Sequence, residues 1–342
     1  MGRRALTLAD VASGYEELAS TRGRDAKAAV FADLLRSADP LSARYITAIL
    51  GGELRIGLRE GHLEKGIAVA FGRDLGAVQW AGMLTGDIGR TARLARDDRL
   101  DTARLALFHP LKSMLASPVA DEAEALSRLT PPVWVEDKYD GIRAQLHAQD
   151  GEVRIVSRDL NDVSSQFPEV AAAAARVIWA GILDGEILAW KDGTVLPFLD
   201  LQTRLGRKKP SAEILAQVPV IYVAFDALAL GEGGAAPEPL LREPLRERRR
   251  RLEALDLPGT HGFGLAALVD ARDETDLERI FSEAQARGNE GLMLKDPESI
   301  YAPGRRGYAW LKLKKALTTL DCVVVGVEVG HGRRHGVLSD YT

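Results

Sequence analysis

One cysteine, Cys322, stands among 342 residues, which excludes an internal disulfide and a cysteine-rich zinc site. It lies in the apolar run CVVVGVEV and reads as a small core residue. No apolar run approaches the roughly 20 residues of a membrane helix. In the opening MGRRALTLADVASGYEE, Asp10 interrupts before a signal-peptide core could form, so the chain is expected to be soluble and cytoplasmic. A basic excess is also missing: 45 Lys and Arg face 49 Asp and Glu, and the net charge of −4 advertises no nucleic-acid partner. Lysine itself is scarce, 11 residues against 34 arginines, a bias that points to a GC-rich bacterial genome and makes each lysine's placement informative.

Hydrophobic residues make up 46% and charged residues 27%, which is ordinary globular usage, and the length suggests two or three domains. Residues 1–112 read as an all-helical domain. Val30, Phe31, Leu34, Leu35 and Ala38 recur at helical spacing until Pro40, and shorter runs follow at 41–50, 62–71 and 98–108. This part alone is mildly basic, with 17 basic and 14 acidic residues. After Pro110 strand-like runs take over at 134–136, 142–147, 153–157, 181–190, 220–225 and 291–295, with helices expected at 167–179 and 275–287. The pattern predicts a mixed α/β domain with largely antiparallel sheets over residues 113–315. The segment REPLRERRRR, 242–251, carries six arginines and reads as a solvated helix face in preference to a nucleic-acid patch. His331 and His335 are four apart like metal ligands but sit among glycines with no third ligand, and read as a loop pair.

The informative stretch is VWVEDKYDGIRAQLH, residues 133–147, in which Lys138, Asp140, Gly141 and Arg143 fall in a tight turn between two strands. A lysine attacks only when neutral, and its reference pKa is about 10.4, so a site that uses one must crowd it with positive charge or bury it. Alone, such a turn is ordinary surface. Five further stretches follow in order: SRDLND with Arg158, LDGEIL with Glu186, VAFDAL with Phe225, NEGLMLK with Glu290, Met293 and Lys295, and WLKLKK with Trp310, Lys312 and Lys314. Lys138, Lys295, Lys312 and Lys314 are four of only 11 lysines.

With these motifs the chain resembles the ATP-dependent DNA ligases, members of the covalent nucleotidyltransferase superfamily that also contains RNA ligases and mRNA capping enzymes. The resemblance implies that Lys138 takes AMP from ATP as a lysyl-AMP adduct, in a reaction that needs Mg²⁺. Lys312 and Lys314, two apart on one strand and so on one face, would bind the α-phosphate. Arg143 and Arg158 would steady ribose or phosphate. Phe225 and Met293 would sandwich adenine, and Glu136 would accept a hydrogen bond from its amino group. Glu186 and Glu290 would offer hard oxygens to the ribose hydroxyls and to Mg²⁺. Without the motif context Phe225 and Met293 alternate like strand core residues, and Trp310 reads equally as core or interface.

The helical region resembles the N-terminal DNA-binding domain of the larger, archaeal-like and eukaryotic-like ligases. Its best match is ILGGELRIGL, residues 49–58, where Gly51, Gly52 and Gly57 would let backbone N–H groups approach phosphates and Arg55 would enter a minor groove. The implied partner is nicked double-stranded DNA, met by a monomer in repair, replication or recombination. Residues 316–342 resemble the start of the family's C-terminal OB-fold β-barrel, which would end incomplete and slow the reaction with ATP. Rival readings are an RNA ligase or capping-type nucleotidyltransferase, and a catalytically silent DNA-end-binding fragment.

Overall fold

The computed structural model describes the chain except for residues 1–5, 53, 55, 178, 208, 232–234, 256, 258–261, 315–322 and 331–334. Contacts divide the chain into two compact units, 1–75 and 76–342. The first holds helices α1 (Leu8–Ser20), α2 (Arg24–Ser37), α3 (Pro40–Leu50) and α4 (Glu60–Phe71). Their ends follow local rules. Thr7 and Asp10 cap α1 reciprocally, and Asp39 caps α3 ahead of Pro40, whose missing N–H costs nothing in the first turn. Among the described residues of this unit the buried apolar ones are few, Leu34, Ile46 and Ala68, and the Tyr15 hydroxyl donates to the Ile46 carbonyl at 3.0 Å.

The second unit opens with α5 (Leu75–Thr85) and α6 (Ile88–Arg96). The helix expected over 98–108 is reduced to a single 3₁₀ turn at Leu100–Thr102. Asp98 adopts a left-handed φ of 56°, and the Arg99 N–H bonds back to the Leu94 carbonyl at 2.8 Å, a closure that ends α6 and redirects the chain. Ala81, Leu84, Ala103 and Leu111 join a core with strand residues of the α/β part, so segment 76–112 packs within this unit although periodicity groups it with the helices before it.

Then follow β1 (Leu115–Val119), α7 (Glu122–Arg128), β2 (Val133–Lys138), β3 (Ile142–Gln149), β4 (Glu152–Ser157), α8 (Pro168–Ala174), β5 (Ala180–Lys191), β6 (Thr194–Val195), α9 (Phe198–Gln202), α10 (Ala212–Gln217), β7 (Val220–Gly231), β8 (Glu238–Pro239), α11 (Leu245–Glu253), β9 (Phe263–Leu265), β10 (Leu268–Ala271), α12 (Glu274–Ala286), β11 (Gly291–Lys295) and β12 (Arg306–Lys314). One sheet has the order β1-β12-β11-β2-β10, the other β4-β3-β5-β7-β8 with β6 beside β5 and β9 beside β7. All pairings are antiparallel except β1 with β12 and β7 with β9. The expected helical domain followed by a mixed, largely antiparallel α/β domain is what the chain forms.

Alternation sorts the side chains. Val133, Val135, Leu292, Leu294, Leu311 and Leu313 cover one face of the first sheet and pack with Leu277, Ile280 and Ala284 of α12. The other face of that sheet carries Glu136, Lys138, Lys295, Lys312 and Lys314 beside Met293 and Trp310. In the second sheet Leu146, Leu183, Ile187 and Tyr222 pack outward with Phe167 and Val170, while Ile182, Leu188, Val223 and Phe225 share a core with Trp310 and Tyr301. The residues expected to begin an OB-fold fall partly outside the described ones, from 316 to 322. Those that follow form the hairpin β13 (Val327–Val329) and β14 (Leu338–Tyr341). Cys322 and His331 lie outside the described residues, and His335 is exposed.

Candidate active site

The polar face of the first sheet is built by register. Met293 pairs with Glu136 on one side and Lys312 on the other, and Gly291 pairs with Lys138 and Lys314. Side chains in one cross-strand row point to one face, so Glu136, Met293 and Lys312 form a row, and Lys138 and Lys314 form the next across a glycine. Gly291 has φ 151°, and a Cβ there would lie 2.2 Å from the Leu313 carbonyl oxygen, so no side chain separates the two lysines. Glu290 follows from this strand start: its carboxylate accepts from Lys138 Nζ and lies 2.7 Å from Lys314 Nζ. Burial pushes the Glu290 carboxyl up, but the hydrogen bonds and charges of Lys138 and Lys314 together outweigh it and hold it below the usual carboxylate range. Burial and Glu290 together push the neighbouring Asp140 up.

Between β2 and β3 the chain turns over β5. A Cβ on Gly141 would lie 2.5 Å from the Ile187 carbonyl oxygen and 2.9 Å from Glu186 Cγ, so only glycine permits so close a passage. Arg143, expected in this turn, is the second residue of β3 and pairs with Glu186 in register. Its guanidinium forms a two-pronged pair with Asp184 at 3.1 and 2.7 Å and donates to the Met114 carbonyl at 2.6 Å, while Tyr301 donates to the same Asp184 at 2.7 Å. A buried carboxylate and three donors thus brace one wall.

A bulge supplies the next side chain. Asp184 pairs with Asp226 and Gly185 with Ala224, which leaves Phe225 as the extra residue of β7 and sets both Phe225 and Asp226 toward the interior between the sheets. Phe225 meets Trp310 edge-on, with ring centroids 6.2 Å apart. Trp310 is buried, which settles its reading as core.

Lys138, Glu136, Arg143, Arg158, Glu186, Phe225, Met293, Lys312 and Lys314 all line one open cavity of about 260 Å³, together with Lys295, Trp310 and Arg306. Lys312 is held below the ordinary lysine value by burial and then by Lys314, Lys138, Arg306 and Arg158. Glu186 is half-buried, and burial pushes its carboxyl up to about 8 against the pull of Arg143 and Lys138. Among the described residues no cluster of three or more His, Cys, Asp and Glu could hold a metal ion. Gly51 ends α3, and Gly52 and Gly57 adopt left-handed φ of 69° and 68° with nothing near their missing Cβ atoms. Arg55 lies outside the described residues.

The family model described as "ATP dependent DNA ligase domain" matches residues 113–314, and that described as "DNA ligase N terminus" matches 2–68. The chain belongs to the ATP-dependent DNA ligase family. A "Probable DNA ligase" of Koribacter versatilis (strain Ellin345) is 44% identical over 359 residues, 98% of this chain and 61% of its own length. A "DNA ligase" of Methanothrix thermoacetophila is 38% identical over 346 residues, 99% of this chain and 61% of its own. A solved structure titled "Pmar-Lig_PreS3" shares the fold, with a TM-score of 0.62 at 18% identity over 100% of this chain and 71% of its own. The chain spans about 61% of the length of these two curated relatives.

Within this ligase-family site, motif reading included Asp184 in LDGEIL but gave it no role, and it passed over Tyr301 and Arg249. The Arg249 guanidinium stands 3.7 Å from Glu136 and, like the neighbouring Arg248, is buried. The reading of 242–251 as a solvated face therefore fails for these two, while Arg250 is exposed and pairs with Glu247 on the same helix. The available signal was spacing: Leu245, Arg248, Arg249 and Leu252 recur at helical intervals on the buried side.

The raised Glu186 carboxyl has a measurable consequence. Its folded-state value lies above the unfolded one, so the folded chain holds the proton more tightly, and stability falls as pH rises between about 4.5 and about 8. Glu186→Gln removes this dependence. In the absence of nucleotide the variant is expected to melt higher than the parent at pH 8.5, with the gap closing below pH 4.5. A gap that widens toward acid would contradict the assignment.

Proposed function

We propose that this chain joins a 5′-phosphate to a 3′-hydroxyl at a nick in duplex DNA through a lysyl-AMP intermediate. The observation that carries the reading is that Lys138, Lys312, Lys314, Arg143, Arg158 and Glu186 line one open cavity. In this reading residues 1–112 grip the duplex and 113–315 carry the transfer. Lys138 Nζ attacks the α-phosphorus of ATP, forming a P–N bond as the bond to pyrophosphate breaks. Lys312 and Lys314 hold the phosphoryl oxygens, and Arg143 and Arg158 steady ribose or phosphate. Phe225 and Met293 flank adenine, and Glu136 accepts from its amino group. AMP then passes to the 5′-phosphate and leaves when the 3′-hydroxyl attacks.

Mg²⁺ fits the donor set. It is held through one or two carboxylates with phosphate oxygens and water, and Glu186 and Glu290 are two carboxylates beside the lysines. When bound, the ion would neutralise charge on the transferring phosphoryl group. The protein's own share is positioning: in Lys138, Glu290 and Lys314 one carboxylate anchors two amines at the cavity edge.

Intact mass after incubation with ATP and Mg²⁺ tests the reading, and one added AMP is expected. No adduct would favour the DNA-end-binding alternative. An adduct with sealing of nicked RNA and none of nicked DNA would favour the RNA ligase or capping-type alternative. The grip on DNA has its own expected result: Arg55→Ala weakens binding to many sequences alike, and affinity of the whole chain falls steeply between 50 and about 200 mM salt. Binding that is insensitive to salt in fluorescence anisotropy would sink this part.

A further inference from the structure

Lys295 is 1% exposed, yet it borders the cavity. Its Nζ lies 2.6 Å from Glu136 Oε2 and 4.5 Å from the ring centroids of both Phe225 and Trp310. A buried ion pair is seldom worth more than an apolar substitute of the same shape, because desolvation consumes most of the attraction. Stability alone would be served as well by an apolar pair in place of both Lys295 and Glu136. The second cation on Glu136 is stranger. Arg249 donates to Glu253 at 2.6 Å and to the Ala266 carbonyl at 2.8 Å, while its Nη1 is buried, stands 3.7 Å from Glu136 Oε1 and makes no hydrogen bond among the described residues.

We infer that Lys295 and Arg249 are positioning residues that set nucleobase selectivity by holding Glu136 with one oxygen engaged and the other free to accept. The inference deepens the nucleotide-binding reading and rests on it. Glu136 lines the cavity, and with Oε2 occupied by Lys295 the oxygen left for a ligand is Oε1. Arg249 draws this oxygen by charge without saturating it, since 3.7 Å is too long for a hydrogen bond. An ionised carboxylate only accepts, so the free oxygen favours a purine with an exocyclic 6-amino group over one without it. If Lys295 is lost, Glu136 can close on the unpaired Arg249 N–H, and the acceptor is consumed.

The test compares binding of ATP with that of purine riboside triphosphate, which has hydrogen in place of the 6-amino group, by calorimetry on the whole chain. The parent is expected to prefer ATP by roughly ten- to a hundredfold, the span of a hydrogen bond to a charged acceptor. Lys295→Met should bring that ratio to within about threefold by weakening ATP and leaving the analogue nearly unchanged. Arg249→Met should lower it less, and Arg249→Lys should restore it, which decides the matter even if Lys295→Met fails to fold. Equal loss of both ligands, with the ratio preserved in every variant, would show a merely structural role and overturn the inference alone. A parent that binds neither triphosphate would overturn the nucleotide reading and the inference with it.

Discussion

Lys138→Arg is expected to lose the AMP adduct entirely, a fall of roughly three orders of magnitude or more in adduct formation, with the fold and DNA binding nearly intact. A guanidinium stays protonated at any working pH and has no free electron pair to attack phosphorus, yet it can still donate to Glu290 in place of the amine. The rival nucleophiles are few. Lys295 is locked between Glu136 and two rings, and Lys314 is half-exposed and bound to Glu290. Lys312 is the serious competitor, because burial and four neighbouring cations already favour its neutral form. Peptide mapping of the adduct therefore discriminates sharply. AMP on Lys138 in the parent, and no adduct in the variant, is the expected pair of results; AMP on Lys312 would reassign the nucleophile and leave Lys138 as a phosphate ligand.

The largest stability effect is expected at Asp226→Ala. Asp226 and Arg248 are both fully buried and meet in a two-pronged pair at 2.8 and 2.9 Å. Arg248 also donates to the Glu243 and Ser299 carbonyls at 2.6 and 3.0 Å, so one guanidinium ties α11 to β7 and to the loop that follows β11. Removing the carboxylate strands a buried cation, at a cost of about 3 to 5 kcal/mol. In a unit of this size that is a drop in melting temperature of roughly ten degrees. Asp226→Ala combined with Arg248→Met should recover a good part of the loss, because the stranded charge is gone. Thermal melting of the two single variants and the double variant checks this. A double variant no more stable than Asp226→Ala would mean that the carbonyl contacts of Arg248, rather than its charge pairing, carry the effect.

Much of this architecture is written locally. Period-two alternation marked β11 at residues 291–295 with its observed limits and placed Lys312 and Lys314 on one face of β12, because a strand's pleat leaves no other choice. Helical spacing also marked the run that ends before Pro40 and the one at 41–50, observed as α2 and α3. The motif Lys-x-Asp-Gly-x-Arg likewise carries its own explanation once β5 is seen beneath Gly141.

What the tertiary structure alone decided is pairing across long stretches of chain. Charge reads the same in sequence whether it ends in water or in a core, so 242–251 looked like a solvated face. Only the fold brought Arg248 to Asp226, 22 positions away, and Arg249 toward Glu136, more than a hundred. Segment 98–108 failed as a helix because a left-handed Asp98 closes α6, a conformation that apolar spacing does not record. The bulge that frees Phe225 and the paired cations around Glu136 belong to the same class. They arise where two sheets meet, and the partners that neutralise a buried charge are chosen by proximity in space, which no local period in the sequence can express.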